Sequence, residues 1–593
     1  MLPHKQIELK LQAAVRAVLP DADLSMVLVR PCDPKFGDYQ SNALMSLAKT
    51  RKLNPRQFAT DVLAKLDVSE FCEKAEIAGA GFLNFRLKDS VLAQTLESAA
   101  RGEHLFFEKT VQPRTVVIDF SSPNVAKPMH VGHIRSTILG DSLARTLRLL
   151  GHHVITDNHI GDWGTQFGML IFGWKNFLNR EALESSPIEE LVRLYRKVVE
   201  QIETEKNQAV SEVWAKTPKA DAIFIPDTPT EKECRHELVL LQRGWPANVE
   251  IWKQCVAHSW REFEVIYGRL GVQFDFSLGE SFYNPKLKPL VDELLAKNIA
   301  RESEGAIAIF FDDIPQLKDH PALIRKSDGG FNYTTTDLAT LAYRLETWKP
   351  DEIIYVTDGR QQLHFQQIFA ALRKWHGESK TKLAHVWFGS ILGEDGKPFK
   401  TRSGETVKLS DLLDEAEERA FKIVSEKNSE LPETQRREIA RVVGIGAVKY
   451  ADLQPNRQSD YIFSWDKMLA LQGNTAPYLQ YAYTRIKSIF RKAESINLQL
   501  SNINLLAPEE IALAKHLLNF GLTLESVAEE YRPNFLCNYL FELAVHFSRF
   551  FENCPVLKAD AATRDSRLAL CDLTAHVLKQ GLEMLGIETV EQM

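Results

Sequence analysis

The sequence has no long apolar run, no paired cysteines and no excess of positive charge, and each absence argues against a class of protein. No hydrophobic stretch approaches the roughly 20 residues that a membrane-spanning helix needs, so we expect no membrane association. The seven cysteines are scattered without a C-x-x-C pair, which argues against a disulfide framework and predicts reduced thiols in a cytoplasmic protein. With a net charge of −7, the chain as a whole does not indicate a nucleic-acid binder, so any such binding would use local basic patches.

The length and composition are those of a globular protein with several domains. At 593 residues the chain exceeds the roughly 300 residues at which single cores stop growing. Its 44% hydrophobic and 25% charged residues are ordinary. Early acids such as Glu8 argue against a signal for secretion or organelle import. We predict a small α/β domain over residues 1–110, a nucleotide-binding α/β domain over 111–405 with a helical insertion near 173–267, and an all-α domain over 406–593.

A strand, a turn and a helix follow one another between residues 116 and 150. The β-branched run at 116–118 is typical of a buried parallel strand, and turn-forming residues interrupt it. From residue 131 apolar side chains recur at steps of three and four, which indicates an amphipathic helix. The start of such a helix attracts anions, because its free N–H groups and its dipole favour negative charge. This stretch is therefore a candidate phosphate site.

Four residues at this helix start suit a nucleotide phosphate. His130 and His133 can each donate a hydrogen bond to a phosphate oxygen. Gly132 allows close approach of a flat ring, and Lys127 adds a positive charge just upstream. The spacing alone fits equally a basic, capped turn with two surface histidines. It does not favour a metal site, because no further Cys or His cluster supplies the remaining ligands.

Several blocks of the sequence resemble one enzyme family. Residues 130–133, His-Val-Gly-His, resemble the HIGH signature of class I aminoacyl-tRNA synthetases, and residues 119–137 resemble its arginyl-tRNA synthetase version. Residues 158–168 strengthen the match, and residues 36–42 and 81–85 resemble the N-terminal domain that contacts the D-loop side of the tRNA. The resemblance implies an α/β fold: a class I, Rossmann-like catalytic domain with a connective insertion, a small α/β N-terminal domain and an all-α C-terminal anticodon-binding bundle.

The resemblance also implies a pocket for L-arginine. Its six residues are Asp119, Ser121, Asn124, Tyr333, Asp337 and Gln361. A guanidinium is planar, permanently charged and carries five donors, which carboxylates, amide oxygens and an aromatic wall would satisfy. Such a site can discriminate by ~10⁴–10⁵, so no editing domain is expected. From spacing alone, Tyr333 and Asp337 share one face of a helix capped by the threonines at 334–336, which also fits a helix with a partly buried tyrosine.

A glycine-rich, basic loop covers residues 393–404, after a predicted strand at 386–388. In class I synthetases a Lys-Met-Ser-Lys-Ser loop lies here, and its lysines neutralise charge on the departing pyrophosphate. By the resemblance Lys397 binds ATP, and either Lys400 or Arg402 takes the place of the second lysine, with Lys127 as a candidate to compensate. The pattern alone also fits a flexible basic loop. P-loop spacing is absent.

From about residue 410 nearly every segment has helical periodicity. One helix begins with Thr475 as its cap and Pro477 in its first turn, and it resembles the start of the arginyl-tRNA synthetase anticodon-binding bundle. Tyr478, Tyr481 and Arg485 are candidate tRNA contacts, because RNA is read largely through unstacked bases. For each of the three, packing in the core is an equal alternative.

Taken together, the resemblance implies an arginine–tRNA ligase of protein biosynthesis. ATP would activate L-arginine to arginyl-adenylate, with release of pyrophosphate, and transfer to tRNA(Arg) would release AMP. We expect Mg²⁺ to accompany ATP, tRNA to be needed before activation, and the protein to be a cytoplasmic monomer. Two alternatives are a nucleotidyltransferase of the same superfamily that acts on a small metabolite, and a non-catalytic tRNA-binding paralogue.

Overall fold

A computed structural model describes residues 1–216, 227–377, 380–399, 406–493 and 503–593. The N-terminal part is a four-stranded antiparallel sheet with helices packed on it, and its strand order is β1-β2-β4-β3. Residues 79–81 form a hairpin turn, because β3 and β4 pair in antiparallel fashion on either side of it. The elements are α1 (Pro3–Val18), β1 (Arg30–Pro31), β2 (Tyr39–Ser41), α2 (Ala43–Arg51), α3 (Pro55–Leu63), β3 (Cys72–Ala78), β4 (Phe82–Leu87) and α4 (Asp89–Ala100).

The central part is built on a parallel sheet of order β11-β10-β5-β6. Its first half contains β5 (Thr115–Asp119), α5 (Val131–Leu149), β6 (His153–Asp157), α6 (Gln166–Phe177), α7 (Arg180–Ser185), α8 (Pro187–Lys216), α9 (Pro229–Gln242) and α10 (Pro246–Leu270). The predicted buried strand is β5, whose residues 116–118 are fully buried. The predicted amphipathic helix is α5. Helices alone fill the described part of the insertion, as its charged helical pattern indicates.

The second half of the central part completes the sheet and adds a small antiparallel one, β7-β8-β9. Its elements are α11 (Glu280–Ala296), β7 (Ala300–Ser303), β8 (Ala306–Ile309), β9 (Ala322–Arg325), α12 (Tyr333–Thr347), β10 (Glu352–Tyr355), α13 (Gln362–His376), β11 (Lys382–His385) and β12 (Ile391–Leu392). Two local predictions are wrong. The strand expected at 386–388 ends at His385, where the ladder to β10 stops, and Asn332, not a threonine, occupies the N-cap of α12.

The C-terminal part is helical apart from one short strand in its described residues. It comprises α14 (Leu409–Lys427), α15 (Glu433–Leu453), β13 (Tyr461–Ile462), α16 (Trp465–Met468), α17 (Ala476–Lys492), α18 (Pro508–Leu517), α19 (Phe520–Glu530), α20 (Asn534–Asn553) and α21 (Ala561–Met584). The predicted cap is confirmed, since the Thr475 hydroxyl accepts from the N–H of Tyr478. Strand β13 pairs in parallel with β12, which joins this part to the central part. None of the described helices is long and apolar enough to cross a membrane.

Candidate active site

The candidate cleft lies at the carboxyl edge of the parallel sheet, where the strand order reverses. From β5 the chain continues to β6 on one side, while β10 and β11 lie on the other. Ligands of open α/β sheets bind at this kind of switch point, because the connections leave the sheet in opposite directions and open a crevice. Asp119 and Tyr355 are paired at the ends of β5 and β10. Their side chains therefore mark the floor of the cleft.

The turn that leaves β5 has a fixed and unusual backbone. Ser121, Ser122 and Ala126 have φ angles of +74°, +49° and +60°, in a region that non-glycine residues seldom adopt. The Ser136 hydroxyl accepts from the N–H of Ser121 at 2.8 Å and donates to the carbonyl of Val356 at 2.6 Å. Such a conformation persists where the surroundings over-determine it, which is common at functional sites.

His130 and His133 cap α5 through their Nδ1 atoms. Gly132 donates its N–H to Nδ1 of His130, and His130 donates its own N–H to Nδ1 of His133, both at 3.1 Å. The ring centroids are 4.0 Å apart. Because Nδ1 accepts in each ring, a neutral ring carries its proton on Nε2. The arrangement leaves two Nε2–H donors at the start of the helix.

Both imidazoles are neutral at physiological pH. Burial lowers the pKa of His130, and the charge of Lys127 lowers it further. Burial also lowers the pKa of His133 to about 3, with His130 adding to the effect. The two rings therefore act toward an anion as hydrogen-bond donors, and the positive charge has to come from elsewhere.

Gly132 and Lys127 lie on either side of this cap. A Cβ at Gly132 would lie 2.8 Å from Cε1 of His130, so the glycine makes room for the capping ring. Lys127 is exposed, and its ammonium lies 5.7 Å from the ring centroid of Tyr195 in α8. Lys127 and His130 border a cavity of about 1280 Å³ that α8, α10 and residues 406–411 enclose.

The basic loop is joined to the same helix start. Before the loop, Phe399 donates its N–H to the carbonyl of Ile391, and Lys397 is exposed in the turn between them. After the loop, Val131 donates its N–H to the carbonyl of Val407 at 3.0 Å. The predicted pyrophosphate-binding residues of the loop, Lys400 and Arg402, lie outside the described residues. Val407 and Lys408, which follow the loop, lie beside Val131 and His130.

The structure brings together three of the predicted arginine-binding positions. Tyr333 and Asp337 lie in the first turns of α12, and His364 of α13 contacts both. His364 Nε2 lies 2.6 Å from Oδ2 of Asp337, and its ring centroid lies 4.8 Å from that of Tyr333. Gln361 is exposed and immediately precedes α13, three residues before His364. Tyr333, 61% exposed, leaves one face open to a ligand.

Asp119 lies in the same cleft but has a different partner from the one expected. Its Oδ2 accepts from Arg344 at 2.6 Å, and the same nitrogen donates to Asp157 at 2.8 Å. Burial raises the pKa of Tyr355, Arg344 lowers it, and the negative charges of Asp119 and Asp337 raise it further. The two predicted carboxylates therefore both act on Tyr355, but a guanidinium of the protein itself already occupies Asp119.

Ser121 and Asn124 differ in how accessible their side chains are. The Ser121 hydroxyl is buried and lies 2.8 Å from both the Tyr267 hydroxyl and the Thr137 hydroxyl. We expected Ser121 to bind arginine, and this network leaves only its backbone for that role. Asn124 is exposed, and a Cβ at Gly161 would lie 2.2 Å from its amide oxygen. The side chain of Asn124 therefore remains accessible at the cleft.

Two further carboxylates, which the sequence analysis missed, lie in this region: the charge of Asp337 acts on Glu280, and so does that of Asp162. Asp162 is buried and accepts from the N–H and the hydroxyl of Ser281 at 2.8 and 2.6 Å. Burial raises the pKa of Glu280 to about 7; His159 lowers it, and the charges of Asp337 and Asp162 raise it. Asp162 belongs to the block at 158–168, which was a usable signal, whereas Glu280 belongs to no recognised motif. This excess of negative charge favours a cationic ligand.

The predicted tRNA-binding residues share one face of α17. Tyr481 is 45% exposed, Tyr478 is half-buried beside Phe541, and the Arg485 guanidinium lies 4.5 Å from the ring centroid of Phe551. Their spacing of three and four residues places them side by side. In the described part of the chain, no group of three or more His, Cys, Asp or Glu side chains is arranged to hold a metal ion.

Three family models together match nearly the whole chain. The N-terminal domain of arginyl tRNA synthetase matches residues 5–87, the class I (R) tRNA synthetase catalytic domain matches 95–465, and the DALR anticodon binding domain matches 479–593. The three models occur in the order that the resemblance implied.

Comparison with individual proteins gives the same result. The arginine–tRNA ligase of Proteus mirabilis is 46% identical over 591 residues, and that of Laribacter hongkongensis is 45% identical over 591 residues; each match covers 98% of both chains. The arginyl-tRNA synthetase structures from Plasmodium falciparum and Thermus thermophilus superpose with TM-scores of 0.80 and 0.81 at 29% and 26% identity. They cover 100% of this chain and 99% and 100% of their own. These matches favour a ligase over the two alternatives. The chain belongs to the arginyl-tRNA synthetases of class I.

Proposed function

We propose that this arginine–tRNA ligase holds the guanidinium of L-arginine between the ring of Tyr333 and the carboxylates of Asp337 and Glu280. The grouping of Tyr333, Asp337 and His364 at the sheet's switch point carries the proposal. A fork-shaped cation satisfies two carboxylates and stacks on an aromatic face. Lysine cannot fill such a fork, and an unpaired buried carboxylate is costly, so the pocket selects arginine.

The other end of the amino acid lies toward the helix start. Because Arg344 already engages Asp119, we assign Asp119 to the α-ammonium group and not, as first expected, to the guanidinium. The amides of Asn124 and Gln361 and the backbone of Ser121 complete the contacts. In this orientation the arginine carboxylate faces the proposed phosphate-binding site at His130.

Activation consists of positioning and charge stabilisation. The arginine carboxylate attacks the α-phosphorus of ATP, which forms the acyl-phosphate bond and expels pyrophosphate. His130 and His133 donate from Nε2 to the phosphate oxygens, Gly132 lies under the nucleotide, and Lys127 with Lys397, Lys400 or Arg402 neutralises the leaving group. A terminal ribose hydroxyl of tRNA(Arg) then attacks the acyl carbon, loses its proton and expels AMP.

Mg²⁺ enters with ATP as part of the substrate. No set of side chains in the described residues suits a resident metal ion, whereas the polyphosphate itself supplies oxygen ligands. When bound, the ion offsets phosphate charge. The protein's own contribution is the pair of neutral donors and the flanking lysines.

The tRNA contacts the chain at three places in this proposal. Residues 1–110 bind the D-loop side, the face of Tyr478, Tyr481 and Arg485 binds the anticodon loop, and the cavity beside Lys127 admits the acceptor end. Catalysis belongs to residues 111–405 and anticodon binding to 406–593. We further propose that the protein is a cytoplasmic monomer, and that bound tRNA is needed before arginine is activated.

Aminoacylation of bulk tRNA with each of the twenty amino acids tests this function. At saturating ATP we expect charging with arginine alone. Charging with a different amino acid, or no charging at all, would overturn the proposal. Arginine-dependent pyrophosphate exchange that tRNA does not stimulate would instead favour a nucleotidyltransferase that acts on the free amino acid.

A further inference from the structure

We propose that His364 is a specificity-determining positioning residue, which fixes the Asp337 carboxylate as an acceptor for a guanidinium and thereby rejects neutral isosteres of arginine. The inference rests on the proposed binding of the arginine side chain at Asp337. His364 contacts the wall of the proposed pocket and not the substrate, and it has no role in the proposed chemical steps.

His364 bridges two elements that line the pocket. From the first turn of α13, its Nε2 donates to Oδ2 of Asp337 in α12 at 2.6 Å. Its ring meets Tyr333 at a centroid distance of 4.8 Å and an angle of 64°, and it meets Phe365 at 5.4 Å and 68°. The side chain is 13% exposed. Two aromatic rings therefore hold the imidazole while it holds the carboxylate.

The hydrogen bond from His364 gives the two carboxylate oxygens of Asp337 different environments. Oδ2 is used by His364, whereas Oδ1 has no hydrogen-bond partner in the described part of the chain, and the side chain is 28% exposed. A charge-assisted hydrogen bond fixes the plane of the carboxylate. Preorganisation of this kind strengthens binding, because the side chain does not have to be ordered when the ligand arrives.

The fixed carboxylate discriminates by chemistry. Arginine presents N–H groups on every edge of its guanidinium, so Oδ1 of Asp337 always meets a donor. L-citrulline has nearly the same shape but is uncharged and carries a ureido oxygen in place of one nitrogen. In one planar orientation this oxygen would meet Asp337 acceptor to acceptor, and in the other it would face Glu280 of the proposed pocket. Without His364 the carboxylate can turn, accept from the remaining ureido amide and lose this discrimination. A site that leaves polar groups unpaired with the wrong ligand discriminates strongly.

The test compares His364→Leu with His364→Gln in the full-length enzyme with tRNA and ATP. Leucine fills the volume without a donor, whereas the glutamine amide can replace the Nε2–H. For His364→Leu we expect the KM for arginine to rise by about ten- to a hundredfold, since a hydrogen bond to a charged group is lost. We expect kcat and the KM for ATP to stay within about threefold, and the ratio of the citrulline Ki to the arginine KM to fall. His364→Gln should restore both values to near those of the wild type.

A role in packing alone gives a different result. The inference is wrong if His364→Leu and His364→Gln lose kcat and thermal stability equally while the ratio of the citrulline Ki to the arginine KM stays unchanged. Should His364→Leu not fold, His364→Asn, whose amide is too short to reach Asp337, makes the same comparison. The Asp337→Asn variant distinguishes failure of the proposed pocket from failure of the role of His364. An unchanged arginine KM in Asp337→Asn overturns the proposed pocket. A raised arginine KM in Asp337→Asn, together with an unchanged arginine KM in His364→Leu, overturns only the role of His364.

Discussion

At the scale of single residues, the active site uses neutral groups where charge would be expected. His130 and His133 each accept a backbone N–H at Nδ1 and have lowered pKa values. In the proposed reaction their Nε2–H groups donate to a phosphate whose charge grows in the transition state. Each histidine would then combine a structural cap and a chemical donor in one ring.

The two roles of His130 can be separated by substitution. Asparagine at position 130 keeps a cap acceptor near the place of Nδ1 but has no group at the place of Nε2. We expect His130→Asn to lower kcat for arginine-dependent, tRNA-stimulated pyrophosphate exchange by about 10²–10³-fold, as for the loss of one transition-state donor. The melting temperature and the arginine KM should be unchanged. An altered arginine KM with a normal kcat would contradict the assignment.

If Glu280 binds the guanidinium as proposed, arginine binding should depend on pH. Burial raises its carboxyl pKa to about 7, so the group is mostly protonated at pH 6 and mostly ionised at pH 8. Arginine is a cation and favours the ionised form, so its KM should fall about tenfold between pH 6 and pH 8 by linkage. In Glu280→Gln we expect a higher KM at pH 8 and little dependence on pH over this range. A wild-type KM that is constant with pH would exclude Glu280 from the pocket.

The sequence could predict some of these residues and not others. Tyr333 and Asp337 are four apart on a helix, so their proximity follows from local geometry. His364 and Glu280 come from α13 and α11, and only the folded sheet brings them beside Asp337. The contact between Arg344 and Asp119 could not be predicted from the sequence either, because the two residues are 225 positions apart.

At the scale of elements, close packing of α14 and α15 depends on a glycine. A Cβ at Gly444 would lie 2.6 Å from the carbonyl oxygen of Ala416, and a backbone atom cannot easily move away. We expect Gly444→Ala to lower the free energy of unfolding by about 1–3 kcal/mol, as overpacking does. Gly268→Ala in α10 is the matched control, because its Cβ would meet nothing within 4 Å. Thermal unfolding followed by circular dichroism measures both.

The control should be neutral or stabilising by up to ~1 kcal/mol, since alanine is the better helix former. If the two variants melted at the same temperature, the close contact at Gly444 would not matter. Gly444 and Gly446 inside a helical pattern indicate close helix packing, and the short distance from a Cβ at Gly444 to Ala416 confirms it.

Periodicity predicted the longer elements well and the short ones less well. The helix expected from residue 131 is α5, because its apolar stripe is long enough to define a face. The strand expected at 386–388 was misplaced, since three apolar residues do not distinguish a paired strand from the segment that follows it. The cap of α12 was assigned to a threonine because the sequence does not show where the first turn begins.

At the scale of the whole molecule, a buried ion pair joins the signature helix to the helical domain. Arg135 Nε lies 2.9 Å from Oδ1 of Asp452 in α15, and both side chains are 1% exposed. Arg135 also donates to the carbonyls of Gly389 and Ser459 at 2.8 and 3.2 Å, which precede β12 and β13. One guanidinium therefore connects α5, the base of the basic loop and the helical domain.

Removal of one partner should be costly. We expect Asp452→Ala to lower the free energy of unfolding by about 3–5 kcal/mol, because a buried charge is left without its partner. The double variant Arg135→Met, Asp452→Leu should recover much of that loss, since it removes both charges. The two melting temperatures test this, and equal values for the two variants would contradict it.

The order of domains followed from the sequence blocks, but the contacts between domains did not. Family resemblance identified three parts, and the matches at 5–87, 95–465 and 479–593 agree with that order. Contacts such as Arg135 to Asp452 join residues more than 300 positions apart. Periodicity and motifs carry no record of such pairs, because both describe neighbours in sequence.

The arginine KM of Asp337→Asn is the most direct test of the account. Asparagine keeps the size of the side chain, but it removes the negative charge that would meet the guanidinium. Asp319→Asn is the control, an exposed aspartate of the same domain. In aminoacylation with saturating ATP and tRNA, we predict an increase of at least about a hundredfold for Asp337→Asn, as when a buried charge pair is broken, and none for Asp319→Asn. An Asp337→Asn enzyme that binds arginine as well as the wild type would contradict the account.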